Sequence, residues 1–404
     1  MDVGLDRLES VDGLLARLRG ARVGLLAHAA SVDKSLRHVV DVLGELGVRP
    51  TVLFAPEHGF AAAAQDMAHV ADERDPQTGA LVASLYGDDP DELVPKAEHL
   101  AEIDLLLVDL ADVGARYYTF VWTALLAVRA AAKVGVHVVV LDRPNPIGGL
   151  ATSVEGQTQQ EGFLSFVGLE PVPIRHGLTI GELIVLHAER DGLDLGTRGA
   201  VSVIDVRGWQ RDQAASSWDR PFVAPSPNMP TADTALVYPG GCLLEGTNLS
   251  EGRGLTRPFE LCGAPWVNGR QLALDLAKLD LPGFKARPVQ FIPTFHKHAG
   301  ERCEGVQIHP THPGEFRPVA TYVALVGLIR RQQPERFRFR TERYEFVDDI
   351  PAFDLLTGSA DARQALLAGE EPRSVAARVS RADPAWVDRM EAAASGVEKA
   401  RWPR

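Results

Sequence analysis

Cysteine is scarce: Cys242, Cys262 and Cys303 are three thiols in 404 residues, an odd number too thinly spread for the disulfide framework of a small secreted scaffold. They read as buried, reduced thiols. No stretch approaches the ~20 consecutive apolar residues of a membrane span. The opening segment, MDVGLDRLESVDGLLARLRG, has no basic stretch followed by an apolar core, so a cytoplasmic chain without a membrane partner is expected. Positive charge is also in deficit. With 42 Lys and Arg against 54 Asp and Glu, the net charge of -12 leaves no basic footprint for a phosphate backbone, and no nucleic-acid partner is expected. An anionic ligand must be met by individually placed arginines. Internal repeats and low-complexity tracts are missing as well, and nothing in the sequence sets an oligomeric state.

Cofactor and nucleophile signatures are equally sparse. Where a GxGxxG would follow the first strand the chain has ARVGLLAHAA, and no phosphate-loop lysine motif occurs, so no dinucleotide or other cofactor is expected. LSFVG lacks the glycine pattern of a nucleophile elbow, and Ser31-Val-Asp-Lys34 fits S-x-x-K without its companion motifs. His296-Lys297-His298 and His309-Pro-Thr-His312 contain metal-ligating residues but offer no third ligand at a suitable spacing, so no metal is expected.

What the chain does contain is alternation. Aliphatic runs at ARVGLLAHAA, RPTVLFAPEHG, IDLLLVDLADVG and VHVVVLDRPNP are separated by amphipathic stretches at 35–47, 91–101 and 120–134, the βαβα pattern of a parallel sheet covered by helices on both faces. A further strand is expected at 201–206. A helix should open at Thr179, with Glu182 completing a capping box. From about 236 the composition shifts to glycine-rich loops, GGCLLEGTNLSEGRG, and the chain ends in a charged helical tail over 360–400. The fold class expected is α/β in two domains, 1–235 and 236–404, because one hydrophobic core seldom grows to this length.

In an open parallel sheet, ligands bind beyond the carboxyl ends of the strands. The residues delivered there are His28, Glu57 and His58, Asp109 with Asp112 and Arg116, and Asp142 with Arg143. In APEHGF, Pro56 and Gly59 bracket a tight turn that presents Glu57 and His58. A glutamic acid half-buried there beside aromatics suits a general acid. DVGARYYTF adds Arg116 and Tyr118, and LDRPNPIGG adds Arg143 and Asn145 on a proline-stiffened turn. Arginine forks match carboxylates, and tyrosines suit sugar faces; the arginines could equally pair with Asp112 or Asp142. Glu155 is the obvious second carboxylate for a glycosidase, with Glu182 the alternative. His176 could orient a substrate or bond backbone. The polar loops PSPNMP and EGTNLSEGRG offer Asn228, Glu245, Asn248, Glu251 and Arg253 as further substrate contacts, or as Asx-type turns.

Taken in order, LFAPEHGF, DVGARYYTF, VLDRPNPIGG, VEG, SFVG, PIRHGLTIGEL, PSPNMPTADTALVYPGGCLLEGTNLSEGRG, PFELCGAPW and FHKHAGERCEGVQIH resemble the NamZ-like exo-β-N-acetylmuramidase family. This is glycoside hydrolase family 171, long catalogued as a domain of unknown function, and the resemblance runs from about residue 22 to the C-terminus. It implies a Rossmann-like N-terminal domain without a nucleotide, a smaller α/β C-terminal domain, and an active-site cleft between them. It further implies release of terminal N-acetylmuramic acid from the non-reducing end of a small oligosaccharide partner, with Glu57 as the catalytic glutamate of the EHG motif. Two departures bear on the substrate. Ala61 to Ala64 replace a glycine and acidic residues after EHGF, and LLAHAASVD replaces an Asn-Pro-Thr-Gly-like turn. The alanine run keeps a second class of function open, a catalytically silent amino-sugar-binding protein.

Overall fold

The structure is a computed structural model that describes residues 1–60, 73–75 and 78–402. The alanine run at 61–64 lies outside the described residues. The N-terminal half sets β1 (Val23–Ala27), β2 (Val52–Ala55), β3 (Glu73–Arg74), β4 (Leu81–Ser84), β5 (Leu105–Asp109), β6 (His137–Leu141) and β7 (Val201–Ile204) in one sheet, in the order β3-β4-β2-β1-β5-β6-β7. All neighbours are parallel except β3 and β4. Helices α1 (Leu14–Arg19), α2 (Val39–Glu45), α3 (Ala97–Ala101), α4 (Phe120–Lys133) and α5 (Ile180–Arg190) join the strands.

Every residue of β1, β5 and β6 is buried, as the continuous aliphatic runs require when both faces are covered. Because side chains alternate along a strand, Leu25 and Leu107 pack with Val39 and Leu43 of α2 on one face. Leu26, Leu106 and Val138 pack with Trp122 of α4 and Leu183 of α5 on the other. The Thr179 hydroxyl accepts from Glu182 N–H at 3.1 Å while Glu182 accepts from Thr179 N–H at 3.0 Å, forming the capping box that opens α5.

The C-terminal half follows with α6 (Ala232–Gly241), β8 (Leu261–Ala264), α7 (Gly269–Lys278), β9 (Phe284–Phe291), β10 (Cys303–Pro310), α8 (Pro318–Gln332), α9 (Ala352–Thr357), α10 (Asp361–Leu367), α11 (Pro372–Val379) and α12 (Ala385–Ala400). Its three-stranded antiparallel sheet, β8-β10-β9, packs against α6 and α7, and α8 packs on those two helices. The chain then turns back on itself. Helix α12 packs on α5 and β7, and Trp402 donates its backbone N–H to Val203 at 3.2 Å and its indole N–H to Asp12 at 3.0 Å. Residues 385–402 are thus part of the N-terminal layer, which residues 1–235 do not complete alone. Among the described residues no helix is long and apolar enough to cross a membrane.

Strands β2 and β4 leave β1 on one side and β5, β6 and β7 leave it on the other, so the reversal of strand order lies between β1 and β5. Side chains occupy most of that crevice and leave a cavity of about 40 Å³ beside Ala111, Asp112, Arg143 and Pro225. His28 Nδ1 donates to the Pro225 carbonyl at 3.3 Å while Nε2 accepts from Ala111 N–H at 2.9 Å. Burial, aided by Arg143, pushes the His28 imidazole down to about 3, so it is neutral. Beside it Arg143 grips Asp109 through Nε at 2.5 Å and Nη2 at 2.9 Å.

Candidate active site

The turn after β2 is set by its own sequence. Gly59 N–H donates to the Pro56 carbonyl at 3.0 Å, and Gly59 takes a φ of 80° that a residue with a Cβ seldom adopts. His58 lies at φ 72° in the same turn, at a cost of about 1–2 kcal/mol for a non-glycine residue; such strain is retained mostly where a side chain must be aimed. Glu57 and His58 are both buried at the wall of one cavity.

The segment after β5 forms the opposite wall. The Thr119 hydroxyl, at the start of α4, donates to Glu57 Oε2 at 2.9 Å. Tyr117 donates its hydroxyl to the Pro239 carbonyl of α6, which ties this wall to the C-terminal half. Tyr118 packs edge-on against Phe120 and Tyr238, with ring centroids 4.8 and 5.7 Å apart.

The C-terminal half closes the cavity with Tyr238, Glu245, Arg253, Phe259, Tyr344 and Glu345. Both oxygens of Glu245 are engaged: Oε1 by Arg253 Nη2 at 2.6 Å and Oε2 by the Tyr344 hydroxyl at 2.7 Å. Glu345 stands on a two-residue turn. Tyr344 and Val347 exchange backbone hydrogen bonds at 2.9 and 3.0 Å, and the two residues between them, Glu345 and Phe346, have φ of 45° and 68°. Asn, Asp and Gly favour those positions; here two bulky residues hold them, with Phe346 packed on Tyr86 and Phe166 at 6.2 Å each. The cavity measures about 40 Å³, room for water rather than a sugar ring.

Of the residues expected from sequence, Glu57, His58, Tyr118, Asn228, Glu245 and Arg253 line this cavity together. The others do not. Glu155 is buried 1% exposed at the start of α8, where its Oε1 accepts from Ala320 N–H at 3.2 Å, so it caps a helix instead of facing Glu57. Burial raises its carboxyl to about 7 against the opposing pull of Arg175. Arg116 is fully buried and donates to the carbonyls of Gln157, Val172 and Leu356 at 2.6–2.8 Å; burial lowers its guanidinium to about 10. Its partners are carbonyls, where Asp112 had been an expected partner.

Arg143 is occupied by Asp109 in the crevice. Asn145 bonds the Leu178 carbonyl and the Ile147 N–H at 3.0 and 3.1 Å. His176 is wholly buried, with Nδ1 accepting from Leu178 N–H at 3.1 Å and Nε2 3.5 Å from Asp112. Glu182 belongs to its capping box. Asn248 clamps the backbone of Arg336 and Arg338 at 2.9 Å. Glu251 lies behind Arg253; its burial opposes ionisation, but Lys297 and His296, with Arg253, hold its carboxyl far below the usual range.

Sequence reading missed Thr119, Tyr238, Tyr344 and Glu345. Thr119 sits inside a segment already singled out, where its place just ahead of α4 was the available signal. The Glu-Phe pair at 345–346 carries no turn-forming residue and so gave none. Among the described residues no group of three or more His, Cys, Asp or Glu is placed to hold a metal ion.

Comparison with known proteins covers nearly the whole chain. The family profile for the N-terminal part of exo-β-N-acetylmuramidase NamZ matches residues 23–233, and that for its C-terminal part matches residues 236–393. The peptidoglycan β-N-acetylmuramidase NamZ of Bacillus subtilis is 42% identical over 324 residues, 80% of this chain and 76% of that protein. A crystal structure of a DUF1343 family protein from Bacteroides fragilis superposes with a TM-score of 0.83 at 29% identity, covering 100% of this chain and 99% of that one. A second DUF1343 protein from the same organism, at 23% identity and a TM-score of 0.68, shares the fold over the same extents.

Proposed function

Because this chain belongs to the exo-β-N-acetylmuramidase NamZ family and is a glycoside hydrolase, we propose that it removes terminal N-acetylmuramic acid from the non-reducing end of peptidoglycan fragments, in cell-wall turnover or recycling. The observation that carries this reading is the shared cavity. Glu57, aimed by a strained turn, faces the same space as Glu245, whose two oxygens are held by Arg253 and Tyr344.

Glycoside cleavage needs a proton for the leaving oxygen and negative charge for the oxocarbenium-like centre. Glu57 is the proton donor, positioned by the Thr119 hydroxyl. Glu245 takes the role first expected of Glu155 and faces the developing positive charge, with Arg253 and Tyr344 fixing its orientation. The 2-acetamido oxygen of the sugar is an alternative nucleophile, and the donor is the same in that route. The muramic acid lactyl ether ends in a carboxylate, and of the arginines expected to meet it only Arg253 lines the cavity among the described residues. Tyr118 and Tyr238 supply apolar faces with hydroxyl edges for the ring.

The test is release of chromophore from a β-N-acetylmuramide and from the corresponding β-N-acetylglucosaminide by wild type and Glu57→Gln. Muramide-selective turnover that falls about 10²–10⁴-fold in the variant is expected for loss of a general acid. Equal turnover of the two sugars would refute the lactyl recognition. A folded protein that binds muramic sugars without cleaving either substrate would return the chain to the amino-sugar-binding reading.

A further inference from the structure

We infer that a second cavity, on the far side of the wall that carries Glu245, is a binding site for a carboxylate-bearing ligand. The inference deepens the function proposed above, and it rests on that function only for whether the ligand is part of the substrate. The cavity measures about 400 Å³, and its lining includes Asn248, His296, Lys297, His298, Arg338 and Arg340, with Glu342 as the acid among its described lining residues. This is the size of an ordinary small-molecule site. Of its three cations, Lys297 pairs with Glu251 at 2.8 Å and Arg340 lies 3.9 Å from Glu342, which leaves Arg338 as the cation placed to meet an incoming anion in a chain of net charge -12.

The cations are placed by backbone. Residues 338–340 pair with 246–248: Asn248 N–H donates to the Arg338 carbonyl at 3.0 Å and Arg340 N–H to the Gly246 carbonyl at 2.9 Å. Two positions apart on an extended segment, Arg338 and Arg340 project to the same side. Arg338 is exposed, its guanidinium donates to the adjacent Phe337 carbonyl at 2.7 Å, and among the described residues no carboxylate lies within ion-pair distance of it. The opposite wall is strained. His296 and His298 have φ of 63° and 58°, a conformation that non-glycine residues hold at a cost and that recurs at ligand sites. Phe295, 41% exposed, stacks on His296 at 6.0 Å, adding an apolar face beside the charges.

The partition from the inner cavity is one side chain thick. Lys297 Nζ contacts Glu251 at 2.8 Å, Glu251 contacts Arg253 Nε at 3.2 Å, and Arg253 holds Glu245. On a second route Arg340 lies 5.3 Å from the Tyr344 ring, whose hydroxyl holds the same carboxylate. A ligand with carboxylates and an apolar or sugar surface suits this arrangement, and a short acidic peptide is its simplest form.

The test titrates the full chain with the dipeptide L-Ala-D-Glu and with its diamide, in wild type, Arg338→Gln and Arg338→Glu. Saturable binding of the dipeptide that weakens at least tenfold in Arg338→Glu, less in Arg338→Gln, and at raised salt, with no binding of the diamide, is the expected result. Failure of wild type to bind the dipeptide, an unchanged Kd in both variants, or equal binding of the diamide overturns it. Two sources of the carboxylates are separated in wild-type kinetics. Dipeptide that raises KM only for a peptide-bearing disaccharide marks the cavity as the seat of the substrate's peptide, whereas dipeptide that changes turnover of the simple muramide marks it as an effector site. If wild type cleaves no muramide, the proposed function fails while the titration still decides this inference.

Discussion

Replacing Glu155 with glutamine separates a buried helix cap from a catalytic carboxylate. The Glu155 carboxyl ordinarily titrates near 4.5, and burial carries it to about 7 despite Arg175, the α8 amides and Arg317. Its folded value is thus raised, so the native state binds a proton that the unfolded chain has released, and stability falls with rising pH between those values. The slope is about 1.4 kcal/mol per pH unit. From pH 5 to pH 8 the native state loses about 2.5 kcal/mol through this group. Glutamine removes the slope. It also places an amide where Oε2 has no hydrogen-bond partner, a cost that does not depend on pH. The two proteins' stabilities, measured by urea unfolding at pH 5 and pH 8, should therefore diverge by about 2–3 kcal/mol in favour of Glu155→Gln as pH rises, while kcat on the β-N-acetylmuramide stays within about threefold because Glu155 does not reach the cavity. Parallel stability curves would show that the carboxyl is not a buried titrating group. A hundredfold loss of kcat in a folded variant would restore Glu155 to the catalytic centre.

Two further substitutions test other parts of the site. Glu345→Gln should lower kcat more than about tenfold with the thermal midpoint almost unmoved, because two left-handed residues are held at that turn to aim a carboxylate that glutamine replaces in shape only; turnover within twofold of wild type would make the turn purely structural. Glu251→Gln removes the counter-charge of Lys297 and Arg253 and should cost about 3–5 kcal/mol at pH 7. Its depressed carboxyl in the folded state contributes stability that is present above the ordinary value of 4.5 and lost as pH falls below it, so melting curves of wild type and variant should converge between about pH 4 and pH 2, and a constant gap over that range would contradict the buried ion-pair assignment.

How much of this was legible follows from what each feature depends on. The strands β1, β2, β5, β6 and β7 and helices α4 and α5 could be read because their aliphatic runs and the Thr179–Glu182 box are local patterns. The short β4, half-buried at its ends, and the β9–β10 pair, whose β9 alternates weakly between exposed and half-buried residues, carry too little hydrophobic signal to stand out. In the cavity, Glu57 and His58 were readable from the Pro56–Gly59 bracket. Glu345 comes from a position 288 residues later, so only the folded chain brings it there. Arg116 and Arg143 misled for a physical reason: an arginine after a strand looks the same in sequence whether it meets a ligand, a carbonyl or Asp109.

The filled crevice between β1 and β5 explains why the site lies where it does. A doubly wound sheet offers its ligand site where strand order reverses, and in nucleotide-binding versions glycines let a phosphate approach there. Here His28, held neutral by burial between the Pro225 carbonyl and the Ala111 N–H, and the Arg143–Asp109 pair occupy that position with side chains. A buried ion pair contributes little net stability over an apolar filling of the same shape, and the cavity left beside it, about 40 Å³, is water-sized. The open edge of the sheet's carboxyl face is then the β2 side, where Glu57 emerges, and the wall missing there is supplied by Tyr238, Glu245 and Tyr344 from the C-terminal half. The second unit is therefore a structural requirement of the site, since a parallel sheet with a plugged crevice has one wall and needs another chain segment to enclose a sugar.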